Sequence, residues 1–136
     1  MIKAIIFDFF GVLTTPEGDL PNHQLLAYIR ENLKPHYKLG IVSNAAADWV
    51  YEILDRKDVA LFDDIIISHR AGIAKPELAI YEMALENLKV RPEDTVFIDD
   101  IELFCDAARA VGMQAILYED FGQMKTELEH ILSNDK

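Results

Sequence analysis

Five short runs rich in β-branched residues, Lys3–Phe7, Leu39–Val42, Asp64–Ile67, Thr95–Ile98 and Gln114–Leu117, alternate with stretches whose apolar residues recur every three or four positions. Leu25, Leu26, Ile29 and Leu33 form one such stripe, and Trp49, Val50, Ile53 and Leu54 the next. Leu78, Tyr81, Leu85 and Leu88 form a third, and Leu103, Phe104, Ala107, Ala108 and Val111 a fourth. Met124, Leu128 and Ile131 mark a last helix near Phe121–Leu132. The spacing puts Trp49 in the core with Ile53, Pro21 suits a first helical turn, and Gly112 suits a helix stop. A chain in which each strand hands over to a helix predicts a parallel sheet covered on both faces. No repeat, low-complexity segment or linker interrupts the alternation, so residues 1–136 read as one α/β domain.

Charge narrows the choice of partner. With 24 acidic residues against 13 Lys and Arg, the net charge is −11. Nucleic-acid backbones and anionic membrane surfaces both demand clustered cations, so both are excluded as partners. No apolar run approaches the length of a membrane span, and the first residues lack the basic-then-apolar layout of a signal peptide. Cys105 is alone and cannot close an internal disulfide, which fits a reducing compartment and predicts a cytoplasmic protein.

In open α/β sheets, ligands bind beyond the carboxyl ends of the strands, where the strand order switches. Asp8 ends the first run, Ser43-Asn44 follow the second, the loop after the third reaches Lys75-Pro76, and Asp99-Asp100 close the fourth. Singly, each has a structural reading too. Asn44 or Asp100 can cap the helix that follows, and Lys75 can be a solvated lysine ahead of a Pro76 in a first helical turn. An aspartate at the end of a buried strand, however, is costly without a partner. All these groups fall at one edge of the sheet, and together they suit phosphate chemistry.

Their order and spacing resemble the haloacid dehalogenase superfamily. Asp8 to Leu13 match the first of its four motifs, and Ser43-Asn44 after Gly40-Ile41-Val42 the second. Gly72-Ile73-Ala74-Lys75-Pro76, running into Ile80-Tyr81, matches the third. Val96-Phe97-Ile98-Asp99-Asp100, continuing to Met113, matches the fourth, and the likeness runs from Lys3 to about Tyr118. The resemblance implies a Rossmann-like three-layer fold with strand order five-four-one-two-three. It implies a Mg²⁺ site made by Asp8, Asp100 and the backbone carbonyl of Phe10, with Asp99 acting through water or hydrogen bonds. Ser43 and the Asn44 amide would hold phosphate oxygens, and Lys75 would offset the crowded negative charge. Asp8 would attack phosphorus and form an aspartyl-phosphate that water hydrolyses.

Two departures qualify this expectation. The family's phosphatases usually carry a second aspartate two residues after the nucleophile, where this chain has Phe10. General acid–base help is worth roughly 10²–10⁴-fold, so alkyl phosphates should turn over poorly and aryl or acyl phosphates less so. Phe10 leaves two readings open, a specialised catalyst and a protein that binds phosphate and metal without turnover. A dehalogenase-like enzyme is a third, disfavoured by the paired Asp99-Asp100. The second departure is the missing cap: the stretch between Asp8 and Asn44 has room for a turn and one helix, and that from Asn44 to Lys75 for a helix, a strand and a loop. An open mouth would admit a phosphorylated small molecule or macromolecule, or be covered by a second copy in a homo-oligomer. Arg70 would either help select an anionic substrate there or sit on the surface, with His69 facing solvent. Cys105 reads as a small packing residue.

Overall fold

A computed structural model describes residues 1–17 and 20–134. Strand β1 (Ala4–Phe7) leads into a tight turn, Phe9–Leu13. Helix α1 (His23–Tyr28) continues as a wider turn over Ile29–Leu33, and β2 (Lys38–Ser43) follows. The short helices α2 (Trp49–Ile53) and α3 (Arg56–Val59) precede β3 (Asp64–Ile67). One turn of helix, α4 (Ser68–Ala71), and the longer α5 (Leu78–Leu88) lead to β4 (Thr95–Asp99). Helix α6 (Glu102–Val111), β5 (Gln114–Leu117) and α7 (Phe121–Asn134) complete the fold.

All five strands pair in parallel in the order β3-β2-β1-β4-β5, which is the predicted order read from the other edge. In β1, Ile5 pairs with Leu39 on one side and Val96 on the other, so the strand is central. Alternation along it then divides the core. Ile5 and Phe7 join one apolar layer with Leu25 and Leu26 of α1 and Met124 and Leu128 of α7. Ala4 and Ile6 join the other with Ile80, Tyr81 and Ala84 of α5 and Ala108 of α6. The result is a Rossmann-like sandwich of helices, sheet and helices. Between β1 and β2 the described residues hold only the tight turn, a bridge from Thr14 to Pro21, and α1 with its continuation. No helix among the described residues is long and apolar enough to cross a membrane.

Several local expectations are corrected. Pro21 is not a first-turn residue: it bridges to Thr14, and Asn22 caps α1 by accepting from the Leu25 amide at 3.2 Å. Trp49 is not in the core but 44% exposed, because α2 is so short that its inward face is set by Val50, with Leu54 beyond its end. Leu78 and Leu103, at helix starts, are likewise exposed. The stretch from Asn44 to Lys75 holds two short helices before β3 rather than one, and a third turn of helix after it. Pro76 precedes α5 instead of opening it, and its bond to Lys75 is cis.

Candidate active site

The chain runs from β1 outward to β3 and then returns to place β4 on the other flank of β1, so the switch in strand order lies between β1 and β4. Asp8 follows β1 there, its amide donating to Ile98 O at 2.8 Å, and Asp99 closes β4 beside it. Asp99 is fully buried and Asp8 is 7% exposed. Two carboxylates so placed need a cation, and the loop after β3 brings one. Lys75 Nζ donates to Asp8 Oδ1 at 2.7 Å and to Asp99 Oδ2 at 2.8 Å. Its ammonium also lies 5.1 Å from the Phe104 ring centre and 5.7 Å from that of Phe97, which shield it from water.

Asn44 explains how Lys75 is aimed. Its side chain does not cap a helix; Oδ1 accepts from the Lys75 amide at 2.9 Å and Nδ2 donates to the Lys75 carbonyl at 3.0 Å. One side chain thus clamps both ends of the residue whose ammonium enters the site. Ser68 adds a parallel tie, its hydroxyl accepting from the Ala45 amide at 2.9 Å.

Asp99 and Asp100 divide their work. Asp99 Oδ1 accepts from the Ile101 amide at 3.1 Å, so Asp99, not Asp100, holds the entry to α6. Asp100 is exposed and stands against the turn after β1: a Cβ on Gly11 would lie 2.3 Å from Asp100 Oδ2. Gly11 also has φ +84°, a conformation that side chains rarely take, so it is required at this point for two independent reasons. Oxygens of Asp8, Asp99 and Asp100 lie within 4.8 Å of one another, a group able to hold a metal ion. Hard oxygen donors of this kind suit Mg²⁺. Burial pushes the Asp8 carboxyl up to about 7; Lys75 opposes this, and Asp99 and Asp100 add to it. Burial likewise raises Asp99, against the pull of Lys75.

Ser43, at the end of β2, is fully buried, and its Oγ has no hydrogen-bond partner among the described residues. A buried hydroxyl left unpaired costs about 1–3 kcal/mol, so it marks a place where a ligand oxygen would be welcome. Asp8, Phe10, Gly11, Pro16, Asn44, Asp100, Ile101 and Phe104 line an open cleft of about 320 Å³ at this edge. The structure therefore brings together Asp8, Phe10, Asn44, Lys75, Asp99 and Asp100, with Ser43 buried at the same edge.

Arg70 and His69 are not brought in. Both bind Asp48 at the surface, the histidine Nε2 at 2.5 Å and the guanidinium through two nitrogens, and Arg70 also stacks over Tyr51 at 5.7 Å. Cys105 is buried as expected, with its thiol pushed up to about 12 by burial first and by Asp99 second. The sequence reading missed Phe104 as a cover for Lys75 and Gly11 as a seat for Asp100. Only the glycine could have been suspected, from its place in the turn after Asp8.

The pig protein named bifunctional epoxide hydrolase 2 is 40% identical over 70 residues, 52% of this chain and 13% of its own length. Glyceraldehyde 3-phosphate phosphatase from Methanothermobacter thermautotrophicus is 32% identical over 101 residues, 72% of this chain. This chain spans 44% of that enzyme, so both matches are to parts of longer proteins. An enzyme of the haloacid dehalogenase family from Bacteroides thetaiotaomicron, crystallised with magnesium and inorganic phosphate, shares the fold. It superposes with a TM-score of 0.73 at 18% identity, over 91% of this chain and 99% of that one. The family model for haloacid dehalogenase-like hydrolases matches residues 22–118, most of the chain, and the chain belongs to that family.

Proposed function

We propose that this chain is a magnesium-dependent hydrolase of phosphate monoesters that works through phosphoryl transfer to Asp8. The observation that carries the reading is the buried ammonium of Lys75, shared between Asp8 and Asp99 inside a group of three carboxylates. A phosphate dianion repels nucleophiles, so a site for it must offset charge before any oxygen can attack. Asp8, Asp100 and the Phe10 carbonyl would hold Mg²⁺, which supplies that offset when bound. Asp99 anchors Lys75 and the start of α6. Ser43 Oγ, buried at the end of β2 with no partner among the described residues, would donate to a phosphate oxygen, and the Asn44 amide would do the same.

Asp8 Oδ then attacks phosphorus as the bond to the leaving oxygen breaks, and that oxygen departs with the electron pair. Water attacks the aspartyl-phosphate, releasing inorganic phosphate and restoring the carboxylate. Phe10 can neither protonate the leaving oxygen nor activate the water, so substrates whose leaving groups tolerate negative charge, aryl and acyl phosphates, are favoured. The names of a phosphatase among the relatives and of a magnesium–phosphate complex among the structures support the reading.

Phe10 supports a second reading, a protein that binds phosphate and metal without turnover. One experiment separates the two. Hydrolysis of p-nitrophenyl phosphate is followed with Mg²⁺ and with chelator, in the parent and in Asp8→Asn. Metal-dependent turnover that vanishes in Asp8→Asn is the expected result. No turnover, with a melting temperature raised by Mg²⁺ and beryllofluoride, favours the binding protein. Neither effect overturns both.

A further inference from the structure

The residues lining the cleft beside Asp8 divide by chemistry. Asp8, Asn44 and Asp100 are polar, while Phe10, Pro16, Ile101 and Phe104 are apolar. No Lys, Arg or His is among the described residues that line it. Lys75 is 4% exposed and both hydrogen bonds of its ammonium go to carboxylates, and Arg70 is held away by Asp48. We propose that Phe10, Pro16, Ile101 and Phe104 seat an uncharged aromatic leaving group, making an aryl phosphate the substrate class of this site. The inference rests on the phosphoryl-transfer reading and narrows it, from aryl and acyl phosphates alike to an aromatic leaving group seated on named residues.

Three observations converge on it. A sugar or nucleoside would surrender hydrogen bonds to water against the apolar side of the cleft, where Phe10, Pro16, Ile101 and Phe104 have no polar side-chain atom to return them, which is costly for every hydroxyl covered there. An anionic group would face the carboxylates of Asp8 and Asp100 with no Lys, Arg or His among the described residues lining the cleft. The volume, about 320 Å³, lies at the small end of ligand sites and suits a phosphate with one ring rather than a nucleotide. The chemistry agrees with the walls. None of the lining side chains replaces the missing proton donor, since Phe10 stands where one is expected and Asp100 belongs to the carboxylate group. The leaving oxygen must therefore depart as an anion. A phenol, with pKa ≈ 10 as in tyrosine, carries that charge far better than an alkoxide.

The test uses phosphonates, which bind without being cleaved. Methylphosphonate, benzylphosphonate and 2-aminoethylphosphonate are titrated calorimetrically into the whole chain with Mg²⁺ present. Benzylphosphonate should bind at least about tenfold more tightly than methylphosphonate, the return on burying most of a ring. Ile101 is 45% exposed and its backbone amide holds Asp99, so Ile101→Ser trims the wall and keeps that hydrogen bond. It should lower the benzyl-to-methyl ratio at least about threefold, by roughly half the apolar contact of one Ile. Equal binding of benzyl- and methylphosphonate overturns the aromatic seat and leaves the phosphate reading standing. Tighter binding of 2-aminoethylphosphonate than of benzylphosphonate also overturns it, in favour of a cationic leaving group. If none of the three binds, the phosphate reading itself falls and takes this one with it.

Discussion

Replacing Lys75 with Met keeps an apolar stem of similar length and deletes the ammonium that touches Asp8 at 2.7 Å and Asp99 at 2.8 Å. Both carboxylates are almost wholly buried, so solvent screens neither, and removing one partner of such a pair costs about 3–5 kcal/mol. The cost must depend on pH, and its sign follows from the shifts. Asp8 is already raised from 3.8 to about 7, and Asp99 is raised as well; Lys75 is the main force pulling both down. Without it both rise further. A carboxyl raised in the folded state favours folding below its unfolded pKa and loses that advantage as pH climbs through the folded value. At pH 5 the variant can shed its problem by protonating both groups, and the deficit should be about 1 kcal/mol. By pH 8 that escape is expensive, and the deficit should reach about 3–5 kcal/mol. Urea unfolding of both proteins at the two pH values, in excess chelator so that no divalent ion substitutes for the ammonium, reads the difference directly. A deficit of the same size at pH 5 and pH 8 would refute the reasoning, as would a deficit below about 1 kcal/mol at pH 8.

Three further changes probe the neighbours of this pair. Phe10→Asp should raise turnover of alkyl phosphates by roughly 10²-fold or more, measured as phosphate release; unchanged rates with Mg²⁺ bound would show that the missing acid is not the defect. Asn44→Ala removes both hydrogen bonds to the Lys75 peptide and should cost about 1–3 kcal/mol of stability while slowing turnover at unchanged Mg²⁺ affinity. A loss of stability with normal turnover would mean that the clamp does not position Lys75. Gly11→Ala forces a Cβ to within 2.3 Å of Asp100 Oδ2 at a backbone φ of +84°. It should cost about 1–2 kcal/mol and weaken Mg²⁺ binding, read by calorimetry; full retention of affinity would remove Asp100 from the ligand set.

The parts that could be read from the sequence are those fixed by short-range pattern. Each β-branched run became a strand, Asp64–Ile67 and Gln114–Leu117 without change and the others with ends shifted by one residue, because a buried parallel strand needs an unbroken apolar run and little else. Asp8, Ser43, Lys75 and Asp99 could be placed together because parallel strands all deliver their carboxyl ends to one edge. Trp49 could not be placed. Four apolar residues on less than two turns do not fix the phase of a helix, and either Trp49 with Ile53 or Val50 with Leu54 could have faced inward. The core took the second pair. The clamp by the Asn44 side chain was out of reach for another reason: its partner is 31 residues away, and no local pattern records a contact of that range. Helix ends fared worst, since Leu78 and Leu103 lie where a stripe leaves the sheet and its apolar residues have nothing to cover.

Phe10 matters most for what it leaves intact. Counting Asp8, Asp99 and Asp100 against Lys75, full ionisation would leave two negative charges at one edge of the sheet, and burial resists that by holding the Asp8 proton up to about pH 7. Another positive charge joining the group would favour ionised Asp8 near neutral pH, which ties its ionisation to cation binding. A second aspartate at position 10 would add one more negative charge to this balance, and a phenylalanine adds none. Loss of the proton donor and relief of crowding are thus the same substitution. On the proposed function, a site built this way would hold its phosphate by charge and its leaving group by apolar contact, and would leave the departing oxygen to bear its own charge. The rate should then follow the acidity of the leaving group steeply. A series of substituted phenyl phosphates of similar size, spanning several pKa units, should give kcat/KM values, which report attack on phosphorus and not the later hydrolysis of the aspartyl-phosphate, that rise as the phenol becomes more acidic, and Phe10→Asp should flatten the slope. A slope already flat in the parent would mean that some other group supplies the proton, and the account of Phe10 would fail.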